Sequence, residues 1–574
     1  MITGHPKKNK RLVIFVYVIF LFLLVVWILY ALFGHQIVRA IYEIKSIDKL
    51  SMACLILFAT FFIFLIISRL LSTWNLLDLF VAASASTALL FSSGLILKKI
   101  LSEPLWHWNA HRLAWTFSLM HGYKLYYPAD SGPMLSLLAG PLQPLTYLPA
   151  TLVNSPMLAL IFASFISVCF YFLPVLWLHI GKNLLDPRKL LFVLYAFLCF
   201  CLFTFISPAL TYSAFAVYAD APALGFGAVS CAILCYRRHK ESIPSLMLSA
   251  LFSVFAVWTK QTLIPLLFAL PAYVLLTDGY RCFKRYMLCL CFSAVAVSAL
   301  FLWVFNAQNL LFNMVTVPSR TPWQFSSNRI IALLTATYHL IKECFLFAVI
   351  LIFYSVYQLS VSSNVPNKLK AWLSSNHWTM LAIVSLFMVP TSVLGRVRLG
   401  GDVNTLSPTV YFLVAAVTLA LIKFTSGLPS STRLMQRVAK FLLVLLITGL
   451  IYVNVPKFSA VHTVLDNLSS NEQKVAYEYA KNHRGEVYFP TNPLSSLLAE
   501  GKLYHHARGL LERERSGFRV SAEHFQAHIP TNIRLVAFQS HRSSTGKYVL
   551  NYLPEFSKRV TIDELPGWIA YTRE

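Results

Sequence analysis

Acidic and basic side chains recur in the polar loops between long apolar runs of this 574-residue chain. A carboxylate there could take a proton from an attacking hydroxyl, and the arginine fork matches the oxygens of a phosphate. Ionisable groups near a bilayer are costly, so their placement is informative about function. The candidate catalytic acids are Glu103, Asp130 and Asp220, and the candidate substrate-binding residues are Arg112, His121, Lys124, Lys260, Arg396, Arg398 and Asp402.

The loop of residues 103–147 combines aromatic and basic residues without an apolar run long enough to cross a bilayer. Its tryptophans and tyrosines favour the membrane–water interface. Leu113, Phe117 and Met120 recur at helical spacing, which predicts a short helix in the interface plane. The alternative is an interfacial helix that only anchors the fold.

The composition indicates a polytopic membrane protein with basic loops. The chain is 57% hydrophobic and 12% charged, with a formal net charge of +25. A nucleic-acid-binding patch would not be scattered between apolar spans, so nucleic acid is excluded as a partner. All ten cysteines lie at or before Cys344 without metal-ligand spacing, and we predict neither a metal nor a cofactor.

About 13 spans are predicted, at roughly 20 residues for a 30 Å apolar core. The first apolar run is longer than that of a signal peptide, and we interpret it as a retained span. The predicted spans are residues 12–33, 52–71, 79–97, 157–180, 190–205, 223–235, 246–258, 263–276, 286–305, 330–357, 378–394, 409–423 and 441–455.

Basic clusters predict the orientation of the chain. Arg237, Arg238 and Lys240 precede residues 246–276, and a second cluster at 281–285 follows them. Positive charge favours the cytoplasmic side, so the chain must cross outward and back between the clusters, which places Lys260 at an outer turn. By the same rule the N-terminus is cytoplasmic and the loops 103–147, 207–220, 306–329 and 395–405 are extracytoplasmic.

From Asn467 the composition changes to that of a soluble domain. Residues 472–482 predict an amphipathic helix, and 485–490, 534–539 and 547–553 predict short strands. We therefore predict three parts: N-terminal transmembrane helices at 1–78, a transmembrane domain at 79–455 with its large outer loop at 98–154, and a small extracytoplasmic α/β domain at 456–574.

Several candidates have structural alternatives. Asp220 precedes Ala221 and Pro222, a pattern typical of a helix N-cap. Arg396 and Arg398 could extend their side chains to the interface. Residues 400–404 could form an ordinary turn, and Glu103 could form a surface ion pair with Lys99 or Arg112.

Three segments resemble the GT-C class of integral-membrane glycosyltransferases, of the protein mannosyltransferase and lipid A aminoarabinose transferase type. They are Trp108-Asn109-Ala110-His111-Arg112-Leu113-Ala114 with His121-Gly122-Tyr123-Lys124-Leu125-Tyr126-Tyr127-Pro128, then Tyr218-Ala219-Asp220-Ala221-Pro222-Ala223, and Trp258-Thr259-Lys260-Gln261-Thr262. The resemblance covers residues 79–425. It implies a GT-C-like helical membrane fold and sugar transfer from a polyprenyl-phosphate donor on the extracytoplasmic side.

One departure concerns the catalytic acid of the first outer loop. This chain has Asn109 at that position, and an amide cannot act as a general base. Asn109 therefore joins the substrate-binding candidates. The base would be Glu103, six residues earlier, or else Asp220 or Asp130; an inactive relative is the remaining alternative.

The resemblance and the loop charges together predict a membrane glycosyltransferase, a hexosyl- or pentosyltransferase of the cell envelope. Its partners would be a polyprenyl-phosphate-linked sugar, a lipid, glycan or protein acceptor, and the lipids of the inner or plasma membrane. The alternative is a non-catalytic transporter or flippase of an isoprenoid-linked or anionic lipid. Transporters more often carry charges within broken helices and show repeat symmetry, whereas these charges lie in outer loops.

Overall fold

The computed structural model describes residues 76–181, 187–324, 328–361, 368–427, 433–458, 464, 468, 471–540 and 543–573. The predicted spans 12–33 and 52–71 lie outside these residues. Every other predicted span coincides with a helix. These helices are Leu76–Ser102, Pro156–Ile180, Pro187–Ile206, Asp220–Tyr236, Ile243–Thr259, Leu266–Asp278, Tyr280–Val304, Arg329–Val361, Trp378–Arg396, Ser407–Gly427 and Arg433–Phe458.

The prediction of a polytopic membrane protein is confirmed. Within the described residues, eight helices are long and apolar enough to cross a membrane, or nine if the broken pair Leu190–Ile206 and Pro208–Phe215 forms one span. Two further apolar helices, Asp220–Tyr236 and Ile243–Thr259, are shorter. The connecting segments contain the helices His107–Met120, Leu142–Thr146, Pro208–Phe215, Ala307–Leu311, Val317–Arg320 and Lys368–Ser375.

The chain divides into two compact units. The first contains the described residues of Met1–Lys98, His179–Ile206 and Thr418–Ala460. Polar side chains in it bond to neighbouring helices, as expected where water is excluded. The Asn454 amide donates to the Leu202 carbonyl (3.2 Å), and His179 Nε2 lies 2.9 Å from Thr418 Oγ1.

The second unit contains the described residues of Lys99–Leu178, Ser207–Val417 and Val461–Glu574. Loops that the charge pattern assigned to one face contact each other here. Arg112 Nη2 donates to Tyr212 Oη (2.8 Å), and Asn313 Nδ2 donates to the Tyr127 carbonyl (2.8 Å). The predicted helix in the first of these loops is confirmed as His107–Met120.

The C-terminal part of the second unit contains a four-stranded sheet, which confirms the small α/β prediction. The strands are β1 (Val487–Tyr488), β2 (Leu535–Gln539), β3 (Lys558–Val560) and β4 (Trp568–Thr572), in the order β1-β2-β4-β3. β1 pairs parallel with β2, and β4 pairs antiparallel with both β2 and β3. The helices of this part are Glu472–Asn482, Pro493–Glu500, Ala507–Arg515, Ala522–Gln526 and Ser543–Lys547.

Alternate residues of β2 face two separate apolar clusters, as the period of a strand requires. Leu535 and Ala537 pack with Ala476 and Ala480 of the helix Glu472–Asn482. Val536 and Phe538 face the other cluster, which also contains Met134 from the loop of residues 103–147.

The predicted strand at 547–553 is wrong. The helix Ser543–Lys547 and the 3-10 helix Tyr548–Tyr552 occupy this stretch instead. Val549, inside this 3-10 helix, and Leu553, just after it, are both fully buried, so the apolar residues that suggested a strand belong to a buried helical turn and its end.

Candidate active site

Lys260 lies at a break between two apolar helices. The helix Ile243–Thr259 ends one residue before it, and a 3-10 helix, Gln261–Leu263, begins one residue after it. Its backbone is extended, with φ −148° and ψ 119°. Its side chain is only 9% exposed, and Nζ forms an ion pair with Asp220 Oδ1. The break predicted at this position is confirmed.

Asp220 is the first residue of the helix Asp220–Tyr236 and is 1% exposed. The capping alternative is wrong, because Ala219 occupies the N-cap position and makes no side-chain capping bond. The Asp220 carboxylate binds tertiary partners: besides Lys260, Asn404 Nδ2 donates to Oδ2 (2.9 Å), and Ser407 Oγ lies 3.5 Å from Oδ1.

Arg112 is buried in a cage of aromatic rings. Its guanidinium carbon lies 3.9 Å from the ring centre of Tyr218, and the rings of Trp106, Trp108 and Tyr212 lie within 6 Å of it. Burial lowers the Arg112 pKa, but Tyr212, Tyr218 and Asp220 outweigh that effect, so its pKa is raised above the ordinary value. Arg112 therefore stays cationic in a site of low polarity. Among the residues that the structure describes, none is a hydrogen-bond partner of its buried Nη1.

Glu103 is the second buried carboxylate of the unit. It begins the 3-10 helix Glu103–Leu105, and Asn109 Nδ2 donates to its Oε2 (2.6 Å). The suggested pair with Lys99 is present at 3.8 Å, with Lys99 much more exposed than the Glu103 side chain. Asn109 Oδ1 in turn accepts from the Val217 backbone N–H (2.9 Å). The amide thus joins Glu103 to the segment that leads into Asp220.

Tyr147 also binds the segment of residues 217–219 that leads into Asp220. Its hydroxyl donates to the Tyr218 carbonyl (2.7 Å), and the Tyr218 N–H lies 3.2 Å from the same oxygen. Residues 217–219 adopt no regular structure, so Asn109 and Tyr147 provide the partners that their backbone needs. These contacts fix the start of the helix that carries Asp220.

The loop of residues 396–404 contributes to this cluster through Asn404. The turn suggested for residues 400–404 is present: Asp402 Oδ1 accepts from the Val403 N–H (2.7 Å) and caps the 3-10 helix Val403–Leu406. Arg396 Nη1 donates to the Gly401 carbonyl (2.6 Å) and lies 4.0 Å from Asp402. Arg398 Nη1 donates to the Thr321 carbonyl (2.8 Å). The Asp402 side chain is 62% exposed.

Three predicted site residues lie apart from the buried cluster. Asp130, His121 and Lys124 are all exposed. Among the described residues, no hydrogen bond or ion pair joins them to Glu103, Asp220 or Lys260. The same part of the chain contains no group of three or more histidine, cysteine, aspartate or glutamate residues that could hold a metal ion.

The sequence did not single out Tyr147, Tyr212, Asn404 and Ser407 as site residues. Asn404 follows a Gly-Gly-Asp turn and Ser407 precedes a proline, both ordinary signals of local structure. Only the approach of the 396–404 loop to the start of the helix Asp220–Tyr236 reveals their role as partners of Asp220.

Comparison with known proteins gives one informative result. No protein-family model matches the chain, and no curated protein matches it. The crystal structure of ArnT from Cupriavidus metallidurans bound to undecaprenyl phosphate matches with a TM-score of 0.50 and 12% identity, over 84% of this chain and 97% of that chain. The apo structure of the same protein matches with a TM-score of 0.49 and 12% identity, over 85% and 98%. This chain therefore has the fold of ArnT, and the GT-C-like fold expected from its loop motifs is confirmed.

Proposed function

We propose that this protein is a membrane glycosyltransferase that transfers a sugar from a polyprenyl-phosphate donor to an acceptor on the extracytoplasmic side of the inner or plasma membrane. One observation carries the proposal: the buried cations Arg112 and Lys260 lie 3.9 Å and 5.6 Å from the ring centre of Tyr218, and Asp220 forms an ion pair with Lys260. The fold shared with a protein crystallised with undecaprenyl phosphate supports this donor class.

Lys260 and Arg112 would bind the donor phosphate. The unpartnered Arg112 Nη1 is a hydrogen-bond donor that a phosphate oxygen could satisfy, and a buried donor without a partner is costly. As the sugar–phosphate bond breaks, negative charge grows on the leaving polyprenyl phosphate. Fixed cations in a site of low polarity stabilise that charge more strongly than water does.

Arg396 and Arg398 would add to the phosphate site from the 396–404 loop. Each uses Nη1 to bind a backbone carbonyl of its surroundings. A guanidinium has five N–H donors, so such a carbonyl contact can coexist with a phosphate contact. Asp402 and Asn404 would hold this loop against Asp220.

Glu103 would act as the general base. The Asp220 carboxylate already has Lys260, Asn404 and Ser407 as partners, so its oxygens are less available to an acceptor hydroxyl. Glu103 has Asn109 as its close partner and Lys99 at 3.8 Å. It would take the proton of the acceptor hydroxyl while the acceptor oxygen bonds to the anomeric carbon and the polyprenyl phosphate leaves from the opposite face. The transfer would invert the anomeric configuration.

The direct test is to incubate the purified full chain with a panel of polyprenyl-phosphate sugars and candidate lipid, glycan and protein acceptors. Release of polyprenyl phosphate with formation of a glycosylated acceptor is the expected result. A flippase would instead move the labelled donor across a liposome membrane without cleaving it. Transport without cleavage across the whole panel would replace the transferase proposal with the flippase alternative.

A further inference from the structure

Residues 134–140 of the predicted outer loop, which we call the strap, connect two places in the fold. One is the helix Ala507–Arg515 in the C-terminal part of the chain, and the other is the turn that contains Lys260. The strap contains no helix or strand. Much of its backbone hydrogen bonding is therefore with residues far away in sequence, and those partners differ at its two ends.

The first end is bound by the C-terminal part of the chain. The Met134 N–H donates to His505 Nδ1 (2.8 Å), and the His506 N–H donates to the Met134 carbonyl (3.0 Å). Ser136 Oγ donates to Glu512 Oε2 (2.5 Å). At Gly509 an added Cβ would fall 2.5 Å from the Met134 carbonyl oxygen, so the helix and the strap are in close backbone contact.

The second end is bound by the residues on either side of Lys260. The Gly140 N–H donates to the Thr259 carbonyl (3.3 Å). Gln261 Nε2 donates to the carbonyls of Leu138 (2.8 Å) and Met314 (3.2 Å). A Cβ at Gly140 would fall 1.6 Å from the Trp258 carbonyl oxygen, which leaves room only for glycine.

These contacts bear directly on Lys260, which is the single residue between two helices. The two backbone dihedrals of Lys260 determine the direction in which its side chain leaves the backbone. A fixed direction matters here because a lysine side chain has many rotamers, which would otherwise spread the positions of Nζ. The strap binds Thr259 and Gln261, the residues on either side of Lys260, and so adds to the bonds of the Lys260 N–H with the Ala256 carbonyl and of the Leu263 N–H with the Lys260 carbonyl (3.0 Å each). Asp220 then receives Nζ in one position.

We propose that Gln261 and Gly140 are positioning residues for Lys260, and that the strap makes donor-phosphate binding depend on the C-terminal helix Ala507–Arg515. The proposal rests on the proposed function, in which Lys260 binds the donor phosphate. Gln261 acts through the backbone of its neighbour, since its side-chain amide is used by two carbonyl groups.

The test titrates the detergent-purified full chain with undecaprenyl phosphate by calorimetry. Gln261→Glu replaces a double donor with a carboxylate that faces two carbonyl oxygens, and we expect phosphate affinity about tenfold weaker. Its matched control is Gln308→Glu, the same charge change at an exposed residue of the helix Ala307–Leu311, which should bind as the wild type does. Thermal unfolding checks that each variant is folded.

The pH dependence separates positioning from simple damage. Two facing carbonyl oxygens disfavour the charged form of the introduced carboxyl, so its pKa should be raised above the ordinary value of about 4.3. Once protonated it can donate one hydrogen bond again, so the ratio of variant to wild-type affinity should rise towards one as the pH falls from about 8 to about 5. A ratio that stays low at every pH would show that the change acts by disrupting the fold and not through the lost donor.

Gly509→Ala tests the distant end of the strap. Alanine normally stabilises a helix relative to glycine, yet here its methyl group would push against Met134. We expect weaker phosphate binding, whereas Gly449→Ala, whose methyl group meets open space, should leave it unchanged. If both Gln261→Glu and Gly509→Ala bound undecaprenyl phosphate as tightly as the wild type, the proposed role of the strap would be wrong, while the transferase proposal would be unaffected. A wild-type chain that does not bind undecaprenyl phosphate would remove both.

Discussion

Asn109 donates its side-chain amide to the Glu103 carboxylate at 2.6 Å, so the amide that the sequence resemblance aligns with the usual GT-C acid binds directly to the carboxylate six residues earlier. The two side chains are buried together, at 0% and 5% exposure. The contact gives the departure from the GT-C pattern a chemical interpretation: the amide orients a carboxylate that the chain supplies from the preceding 3-10 helix.

Replacing the proposed base should greatly reduce turnover without weakening the binding of the polyprenyl-phosphate donor. Glu103→Gln keeps the size and the Asn109 contact of the side chain but cannot accept a proton, and loss of a general base typically costs about 10²–10⁴ in rate. Asp130→Asn is the matched control, since Asp130 is exposed. The assay is release of polyprenyl phosphate. A dead Asp220→Asn beside a fully active Glu103→Gln would move the base to Asp220.

Removing either buried cation should weaken donor binding. Lys260→Ala and Arg112→Ala each delete a charged donor, worth about 1.5–3 kcal/mol per hydrogen bond. Lys260→Ala also leaves the Asp220 charge buried without its ion-pair partner, so its unfolding midpoint must be compared with that of wild type. Lys124→Ala at an exposed position is the control. Equal affinities for undecaprenyl phosphate in all four proteins would exclude these cations from the phosphate site.

Asn109→Leu should lower activity while donor affinity is retained. The substitution removes both the bond to Glu103 and the acceptor of the Val217 N–H, so the carboxylate is no longer held in place. We expect a loss of about ten- to a hundredfold in kcat, within the range for a misplaced catalytic group. Asn109→Asp should also lose activity, because it sets two carboxylates side by side. Full activity in Asn109→Leu would mean that Glu103 needs no orientation.

Stability should fall as the pH is lowered through the ordinary range of histidine. Burial lowers the pKa of His505 and of His506 to about 3. The unfolded chain therefore binds more protons than the folded chain below about pH 6.5. The contribution of the two histidines to the free energy of unfolding is fully present above that pH. As the pH falls towards 3, each histidine lowers this free energy by up to about 1.4 kcal/mol per pH unit.

The surroundings of both histidines disfavour a positive charge. His505 lies 5.3 Å from the rings of His524 and His528, and its Nδ1 must be unprotonated to accept from Met134. The His506 ring stacks on the His111 ring with 4.1 Å between their centres, and the positive charge of Arg508 further lowers the pKa of His506. In thermal unfolding from pH 7.5 to pH 5, His506→Phe should flatten the slope, whereas His121→Ala at an exposed position should not. Identical slopes in all three proteins would contradict the assignment.

The orientation can be tested with a single introduced cysteine. Ala522 is exposed at the start of the helix Ala522–Gln526, and Ala522→Cys should react with a membrane-impermeant thiol reagent in intact cells. Ser374→Cys lies in the helix Lys368–Ser375, whose Lys368 and Lys370 predict the cytoplasmic side, and it should react only after lysis. The parent protein, with its ten cysteines, sets the background. The reverse labelling pattern would invert the predicted topology.

Apolar run length and charge placement were sufficient to predict the membrane helices, the Lys260 break and the grouping of the loops. These features depend on local composition: a bilayer demands long apolar helices, and positive charge favours one side. The helix His107–Met120 followed from its spacing in the same way. The stretch 547–553 was mistaken because a buried helical face and a strand can share the same short apolar pattern.

Only the tertiary structure decided which of the charged residues come together. Asp130 and Asp220 have similar loop settings in the sequence, yet one is exposed and the other is 1% exposed between Lys260, Asn404 and Ser407. Those partners are up to 187 residues away along the chain. A buried carboxylate needs such partners to remain charged, and helix packing, not local sequence, brings them within hydrogen-bonding distance.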